Sequence, residues 1–259
     1  MDGHNIAAAP GAGLKAELDK LAKGCRILEI HGHGDRIYGH LAMRDPEGRG
    51  FWLKRHAISL GEVFDWRDFV LLEFDGEQLF GDGRQHSEWP IHAEILRARP
   101  DVNVTGHTHP FYGTIYSAAE EPLRSVTGIG APPPRFEDTL EFIDTPALGR
   151  ALAAALGQAN TVFLRNHGIV YCGATIEGAV DAGIRMEEKC HQMLTVAAAD
   201  LRFTWPGDEE IAAKVRSTGG PRYRNNTALW DFYLRVLARA EAQGDPALSH
   251  ARVENVKRV

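Results

Sequence analysis

Histidine is the residue of this chain whose number and spacing suggest chemistry. The sequence holds 12 histidines, and His107 and His109 form a His-Thr-His run at the end of a predicted strand. Residues i and i+2 of a strand point to the same face, so both imidazoles could reach one metal ion at a Zn–N distance of about 2.0–2.1 Å. His167, in a predicted tight Asn-His-Gly turn, is the best candidate for a third ligand. Three histidines with an open fourth position are typical of catalytic zinc, whereas a bare His-x-His is also common at a surface.

Two other groups could take part in chemistry. Glu88 lies in the first turn of a predicted helix, where a carboxylate either transfers protons beside a metal pocket or interacts with the helix dipole. His31 and His33 form a second alternating pair in a glycine-rich segment. No third ligand is in view for that pair, so a loop is predicted there.

Composition limits the class of protein. The 259 residues suit one α/β domain with at most a tail, and the net charge of -6 argues against a nucleic-acid or acidic-membrane surface. No apolar run is long enough to span a membrane. The three cysteines have no CxxC spacing, which excludes a disulfide framework and favours a reducing cytoplasm. Residues 1–13 lack the pattern of a signal peptide and are expected to form a disordered leader.

The elements that must position these side chains follow from hydrophobic periodicity. It predicts helices at 14–28, 88–98, 112–119, 146–157, 175–199 and about 226–242. Short apolar runs predict strands at 41–44, 50–53, 69–74, 78–80, 103–107, 161–164 and 169–172. Loops are expected at 30–39 and 122–136, with a polar stretch at 206–221. The hairpin-like pairs predict an α/β fold with a mixed or mostly antiparallel sheet. A catalytic domain at 14–205 and a C-terminal extension at 206–259 are expected, the helix of the extension packing on the domain or on a neighbouring subunit.

Three segments resemble the class II aldolase/adducin family, and the resemblance covers about residues 22–199. The segments are HSEWPIHAEILRARPDVNVTGHTHP (86–110), TVFLRNHGIVYCG (161–173) and VDAGIRMEEKCHQM (180–193). The resemblance implies a three-layer α/β/α sandwich around a mostly antiparallel sheet, and a homotetramer with active sites between subunits. It also implies a divalent metal, usually Zn²⁺, on His107, His109 and His167, with Mn²⁺ or Fe²⁺ as other possible ions. Glu88 takes the place of the family's acid/base carboxylate.

The resemblance also implies a proton-donating tyrosine contributed across the subunit interface. Tyr112 and Tyr116 follow the His-Thr-His-Pro segment and are both candidates for this role. Which of the two it is stays open from the sequence.

Three segments that hold a phosphate in sugar-phosphate aldolases of the family differ here. The first reads Gly-His-Leu-Ala around His40, the second Lys-Arg-His-Ala at 54–57, and the third His-Ser-Glu at 86–88. Imidazole and guanidinium groups are good partners for a planar carboxylate, whereas the small hydroxyl groups that suit a phosphate dianion are largely missing here. The substrate is therefore expected to be a small carboxylate, unless these residues merely form solvated turns. The expected contacts are Lys54, Arg55, His56, His40, His86 and Ser87.

The runs GRGFWLKR, APPPRF and EWPIH are similar to those of family members that decarboxylate carboxylated catechols or ring-cleaved aromatic acids. The resemblance thus implies a metal-dependent lyase that decarboxylates a hydroxylated aromatic or dienoic acid through a metal-stabilised enolate-like intermediate. Glu88 or His56 would supply the proton, and Phe136 would help to form an apolar wall for the ring.

Three alternatives stay open. The first is a class II aldolase or epimerase acting on a hydroxy-carbonyl compound such as a sugar or sugar phosphate. The second is a non-catalytic adducin-like interaction module. The third is an iron enzyme that performs oxygen chemistry, since three histidines do not fix the metal.

Overall fold

The computed structural model describes residues 7–127, 131–217 and 227–254. Its helices are α1 (Ala12–Leu28), α2 (Trp89–Ala98), α3 (Phe111–Ser117), α4 (Pro146–Leu156), α5 (Ile176–Ala198), α6 (Asp208–Ser217) and α7 (Thr227–Gln243). Its strands are β1 (His40–Arg44), β2 (Phe51–Lys54), β3 (Phe69–Leu72), β4 (Gln78–Phe80), β5 (Val104–Thr108), β6 (Arg135–Phe136), β7 (Thr161–Leu164) and β8 (Gly168–Gly173). A π-helical turn, Glu29–His33, follows α1 directly. None of the helices in these ranges combines the length and hydropathy needed to cross a bilayer.

The eight strands form one sheet in the order β4-β3-β2-β1-β5-β8-β7-β6. Every neighbouring pair is antiparallel except β6 with β7, which confirms the predicted mostly antiparallel sheet. Strand β5 lies inside the sheet and pairs with β1 on one side and β8 on the other. This register sets His40 opposite His107, and Thr108 opposite Ile169.

The sheet separates two apolar cores, which makes the three predicted layers. Alternating residues of one strand enter opposite cores, as the period of two requires. In β2, Trp52 packs with the α1, α5 and α7 side, while Phe51 and Leu53 pack with the α2 and α4 side. Helix α7 packs back on its own chain, where Arg26 of α1 binds Glu241. The three-layer α/β/α sandwich is thus confirmed.

Several elements differ from the predictions. Helix α1 begins two residues before the predicted start, and the Ala7 amide of the expected leader donates to the Leu79 carbonyl. Residues 1–6 of that leader lie outside the described ranges. The predicted 30–39 loop begins as a π-helical turn, and the predicted 122–136 loop ends in β6.

The polar stretch 206–221 contains a helix that periodicity did not predict. None of the side chains described in helix α6 is buried, so they form no apolar stripe. Its charges explain it better, because Asp208, Glu209 and Glu210 lie in the first turn and Lys214 and Arg216 in the last, where each sign suits the helix dipole. Residues 218–226 are not described, so the predicted helix start at 226 is not tested. The division into a catalytic domain and an extension stays a proposal.

Candidate metal centre

Three histidines come together where the end of β5 meets the turn before β8. His107 lies in β5, His109 follows that strand, and His167 lies in the turn between β7 and β8. The Nε2 atoms of His107 and His109 are 3.1 Å apart. One ring nitrogen from each histidine lies within 4.8 Å of the others, and this is the only such group of three in the part of the chain that is described.

Hydrogen bonds on the far side of two rings fix which nitrogen faces the centre. His107 Nδ1 lies 3.0 Å from the Ile169 carbonyl oxygen, and His109 Nδ1 lies 3.0 Å from Asp35 Oδ2. Both oxygens only accept, so each Nδ1 carries the proton and each Nε2 presents a lone pair. His167 Nε2 is buried without a hydrogen-bond partner among the described residues.

The two unprotonated Nε2 atoms of His107 and His109, together with the unpartnered Nε2 of His167, fit a cation. Ligand atoms around a tetrahedral zinc ion are roughly 3.3 Å apart, given Zn–N bonds of about 2.0–2.1 Å. Burial, and then the neighbouring His107, lowers the pKa of both His109 and His167 to about 4. These two imidazoles are therefore neutral at pH 7, the form that binds a metal. The donor set suits Zn²⁺, Mn²⁺ or Fe²⁺ without selecting one.

The turn that carries His167 depends on its two neighbours. Asn166 has a φ of 55°, in the left-handed region that asparagine tolerates better than most side chains. A Cβ at Gly168 would lie 2.7 Å from His109 Cδ2 and 2.7 Å from the Thr108 carbonyl oxygen, so only glycine leaves room for these neighbours. The Asn-His-Gly sequence therefore allows both the bend that carries His167 and the close approach of His109.

Glu88 lies beside the three histidines. Its Oε2 is 3.5 Å from His107 Nε2 and 4.0 Å from His167 Nε2, and its Oε1 accepts the Ile143 amide at 3.2 Å. Burial acts to raise the pKa of Glu88, but His107, His167 and the Ile143 amide outweigh burial and lower it to about 2. The carboxylate is thus ionised and can accept a proton from a molecule bound at the centre.

A second group of histidines extends from the centre through His40 of β1. The ring centroids of His40 and His107 are 5.3 Å apart, those of His40 and His86 4.3 Å, and those of His86 and His56 5.0 Å. Burial comes first among the causes that lower the pKa of His40, His86 and His56. We call these three residues the histidine row. Being neutral, they can offer hydrogen bonds but little charge.

Hydrogen bonds to His92 anchor one end of the histidine row, and one ring nitrogen of the row has no partner among the described residues. His40 Nδ1 lies 2.7 Å from His92 Nε2, and His92 Nδ1 lies 2.7 Å from Thr105 Oγ1. The Nε2 of His86 is buried and has no partner within the described ranges. The row thus combines an anchored ring with a nitrogen that is left for a ligand.

The two predicted cations are engaged elsewhere in the chain. Lys54 Nζ donates to the Ile58 carbonyl at 2.5 Å and to the Arg55 carbonyl at 3.2 Å, and burial lowers its pKa to about 7. Arg55 pairs with Asp68 at 3.1 Å and donates to the Val253 carbonyl at 2.7 Å. Of the segment 54–57, which replaces the second phosphate-binding segment of the family, only His56 belongs to the histidine row.

Four further predicted site residues have other surroundings within one chain. Tyr116 donates to the Pro122 carbonyl at 3.2 Å, and the Tyr112 ring stacks on His191 at 3.9 Å. Phe136 is buried in the core on the α2 and α4 side, and Ser87 is exposed.

Two residues near the centre were not predicted from the sequence. Phe142 is 66% exposed and meets the His167 ring edge-on at 5.7 Å, and it lies in an irregular loop without periodicity. Asp35 contacts His109, and its only signal was its place after the His31 and His33 pair.

The fold is an α/β/α sandwich, and its site is a group of three histidines that could hold a metal ion. Similarity to known proteins gives the family. The model of the class II aldolase and adducin N-terminal domain matches residues 19–194, most of the chain. The chain therefore belongs to the class II aldolase/adducin family, which confirms the resemblance read from its segments.

Three curated relatives and a solved structure show the range of that family. Decarboxylase NovR of Streptomyces niveus is 30% identical over 83% of this chain and 79% of its own. The 4-hydroxy-3-prenylphenylpyruvate oxygenase/4-hydroxy-3-prenylbenzoate synthase of Streptomyces roseochromogenus subsp. oscitans is also 30% identical, over 83% and 77%. The 3,4-dihydroxyphthalate decarboxylase of Arthrobacter keyseri is 27% identical over 86% and 94%. L-fuculose 1-phosphate aldolase from Glaciozyma antarctica PI12 shares the fold, with a TM-score of 0.72 at 24% identity over 94% of this chain and 98% of that one.

Proposed function

We propose that this chain is a divalent-metal-dependent carbon–carbon lyase that decarboxylates a hydroxylated aromatic or ring-cleaved dienoic carboxylic acid. The observation that carries the proposal is the convergence of three histidine ring nitrogens beside an ionised Glu88, with the neutral histidine row next to them. The named activities of NovR and of 3,4-dihydroxyphthalate decarboxylase support the reaction class.

His107, His109 and His167 would hold the cation, and Zn²⁺ is the ion we propose. When bound, it supplies Lewis acidity, which holds the negative charge that develops as the carbon–carbon bond breaks. Glu88 accepts a proton from a substrate hydroxyl and returns it to the carbon that loses CO₂, because its carboxylate lies within 4.0 Å of two of the three ring nitrogens. His56, at the far end of the histidine row, is the second candidate for that proton transfer.

The histidine row supports a carboxylate as the substrate. A phosphate dianion calls for several donors and positive charge, and the row offers neutral imidazoles whose pKa values burial lowers. A singly charged planar carboxylate can accept hydrogen bonds from such rings. Phe142, edge-on to His167, adds an aromatic surface for a planar substrate. We retain Ser87 and Phe136 as weaker substrate contacts.

We propose a homotetramer in which each site is completed by a neighbouring subunit. Tyr116 already donates to Pro122, so Tyr112 is the better candidate for a proton donor that reaches the next copy. Cytoplasmic placement fits Cys25, Cys172 and Cys190, which are buried as free thiols.

The test is CO₂ release from a panel of acids that begins with 3,4-dihydroxyphthalate and extends to other catechol and dienoic carboxylates. We expect release by the zinc-loaded protein, and its loss with a chelator and in His109→Ala. Release of an aldehyde from L-fuculose 1-phosphate, with no CO₂ from any acid, would instead establish the aldolase alternative. A purified protein that binds no metal stoichiometrically would leave the non-catalytic module.

A second candidate is oxidative decarboxylation with iron, which the named oxygenase relative favours. The three-histidine donor set accepts Fe²⁺ as well as Zn²⁺. The two are separated by running the reaction without oxygen. The lyase continues in argon and consumes no O₂, whereas the oxygenase stops and, in air, takes up O₂ in proportion to CO₂ released.

A further inference from the structure

The segment 29–35 contacts the metal-type centre from outside the three histidines. His33 Nδ1 lies 2.8 Å from Thr108 Oγ1, in the residue between His107 and His109. Two residues later, Asp35 Oδ2 lies 3.0 Å from His109 Nδ1. The segment therefore contacts both the strand end and one of the rings that it carries.

The course of this segment is set by a close contact in its middle. Glu29 Oε2 accepts the Gly61 amide at 3.0 Å, which holds the carboxylate in place. A Cβ at Gly34 would lie 2.2 Å from Glu29 Oε1, so glycine is needed for the chain to pass and turn Asp35 toward His109. The other oxygen of Asp35 pairs with the exposed Arg36 at 2.9 Å.

We propose that Asp35 is a positioning residue of the metal centre. Its carboxylate holds His109 in the tautomer that presents Nε2 to the cation, and its negative charge makes that imidazole a stronger ligand. His107 differs, since its Nδ1 donates to the uncharged Ile169 carbonyl. The inference rests on the metal-binding part of the proposed function and not on the identity of the substrate.

The test measures metal affinity and needs no substrate. Zn²⁺ affinity is obtained by competition with a chromogenic chelator, and the absorption spectrum of the Co²⁺-loaded protein reports ligand geometry. Asp35→Ala should weaken zinc binding by about 10–100-fold and alter the Co²⁺ spectrum. Asp35→Asn, which keeps an oxygen acceptor but no charge, should lose less. Asp101→Asn is the matched control, because Asp101 is an exposed carboxylate that pairs with Arg99 before the start of β5.

Thermal unfolding of the metal-free variants separates positioning from a general structural role. Equal midpoints with weaker binding support the proposal, whereas a lowered midpoint with wild-type affinity overturns it. If Asp35→Ala does not fold, affinity of Asp35→Asn equal to wild type overturns it as well. A wild-type protein that binds no metal defeats the proposed function too. A wild type that binds zinc and releases CO₂, with Asp35 variants that bind equally well, defeats this inference alone.

Discussion

The Nε2 atoms of His107 and His109 take their role from the atom that the Nδ1 of the same ring contacts. A carbonyl or carboxylate behind His107 and His109 forces a lone pair forward, while His40 has another imidazole behind it. The histidines thus fall into candidate metal ligands and hydrogen-bonding groups. The residues that surround each histidine decide to which group it belongs, and the high histidine content of the sequence does not.

Replacement of Glu88 tests its proton transfer. Glu88→Gln keeps an oxygen for the Ile143 amide but cannot take a proton. We expect kcat for CO₂ release to fall by about 10²–10⁴-fold. Metal content should stay at the wild-type level, and the exposed Glu137→Gln serves as the control. Steady-state kinetics with metal analysis checks this, and nearly full activity in Glu88→Gln would remove Glu88 from the mechanism.

The family resemblance predicted the three histidines and Glu88 as one site, whereas residue types and spacing alone left a surface His-x-His and a helix-dipole carboxylate open. The cations show why the rest of the site was not predictable. Lys54 ends β2 on the same face as Trp52, toward the α1 side, and Arg55 turns to Asp68. The side chains of adjacent residues at the end of a strand point in different directions, so consecutive polar residues in the sequence need not line one pocket. Asp35 reaches His109 across 74 positions, which no local pattern encodes.

Among the elements, β5, β8 and α5 pack closely around one buried ring. Gly106 precedes His107, and a Cβ there would lie 2.2 Å from the ring of Tyr171 in β8. On the other side of that ring, a Cβ at Gly183 of α5 would lie 3.0 Å away. The buried tyrosine ring therefore occupies a slot between two glycines, which sets the distance between α5 and the strand that carries His107.

Filling this slot should be costly. Gly106→Ala forces a buried aromatic ring to move, and we expect the free energy of unfolding to fall by about 1–3 kcal/mol. Gly13→Ala in α1 is the matched control, since nothing lies within 4 Å of a Cβ there, and it should leave stability equal or raise it by up to about 1 kcal/mol. Urea denaturation of both variants provides the measurement. Equal stability of Gly106→Ala and wild type would show that the ring has room to shift.

Elements with apolar periodicity were placed from the sequence to within a few residues, because burial of one face leaves a readable pattern. Helix α6 was not, since none of its described side chains is buried and its first and last turns are charged. The two-residue β6 is too short for periodicity, and its pairing with β7 comes from distant parts of the chain.

For the whole molecule, buried neutral histidines make stability depend on pH. Burial, followed by His31 for His33 and His107 for His92, lowers the pKa of both to about 3. The unfolded chain therefore binds more protons below its ordinary histidine pKa of about 6.5, and stability is lost as pH falls from there toward 3. Each such group contributes up to about 1.4 kcal/mol per pH unit.

Urea denaturation of the metal-free protein between pH 6.5 and 5 isolates this effect, because most carboxylates titrate lower. We expect the free energy of unfolding to fall steadily across that window. His33→Asn removes one buried imidazole, so its dependence on pH should be shallower whatever its absolute stability. A wild-type curve that is flat in this window would contradict the assignment.

The proposed tetramer has a visible candidate surface. Phe111 and Ile115 lie one helical turn apart on α3 and are 67% and 46% exposed. Contiguous exposed apolar side chains are typical of contact surfaces between subunits. Light scattering should give four times the 28.6 kDa chain mass, and Phe111→Glu should give a smaller species with an unchanged circular dichroism spectrum. A wild type that stays monomeric at tens of micromolar would exclude the tetramer.

The interior place of β5 bears on how long a bound cation stays. The amides of a strand that pairs with neighbours on both sides exchange their hydrogens only when the sheet itself opens, so we expect His107 to lie on a slowly opening part of the chain. His109 and His167 lie in connections beyond the strand ends, which open more often. We therefore expect an ion to leave by loosening of these two connections while His107 stays in place, so that its off-rate follows loop motion and is much faster than global unfolding.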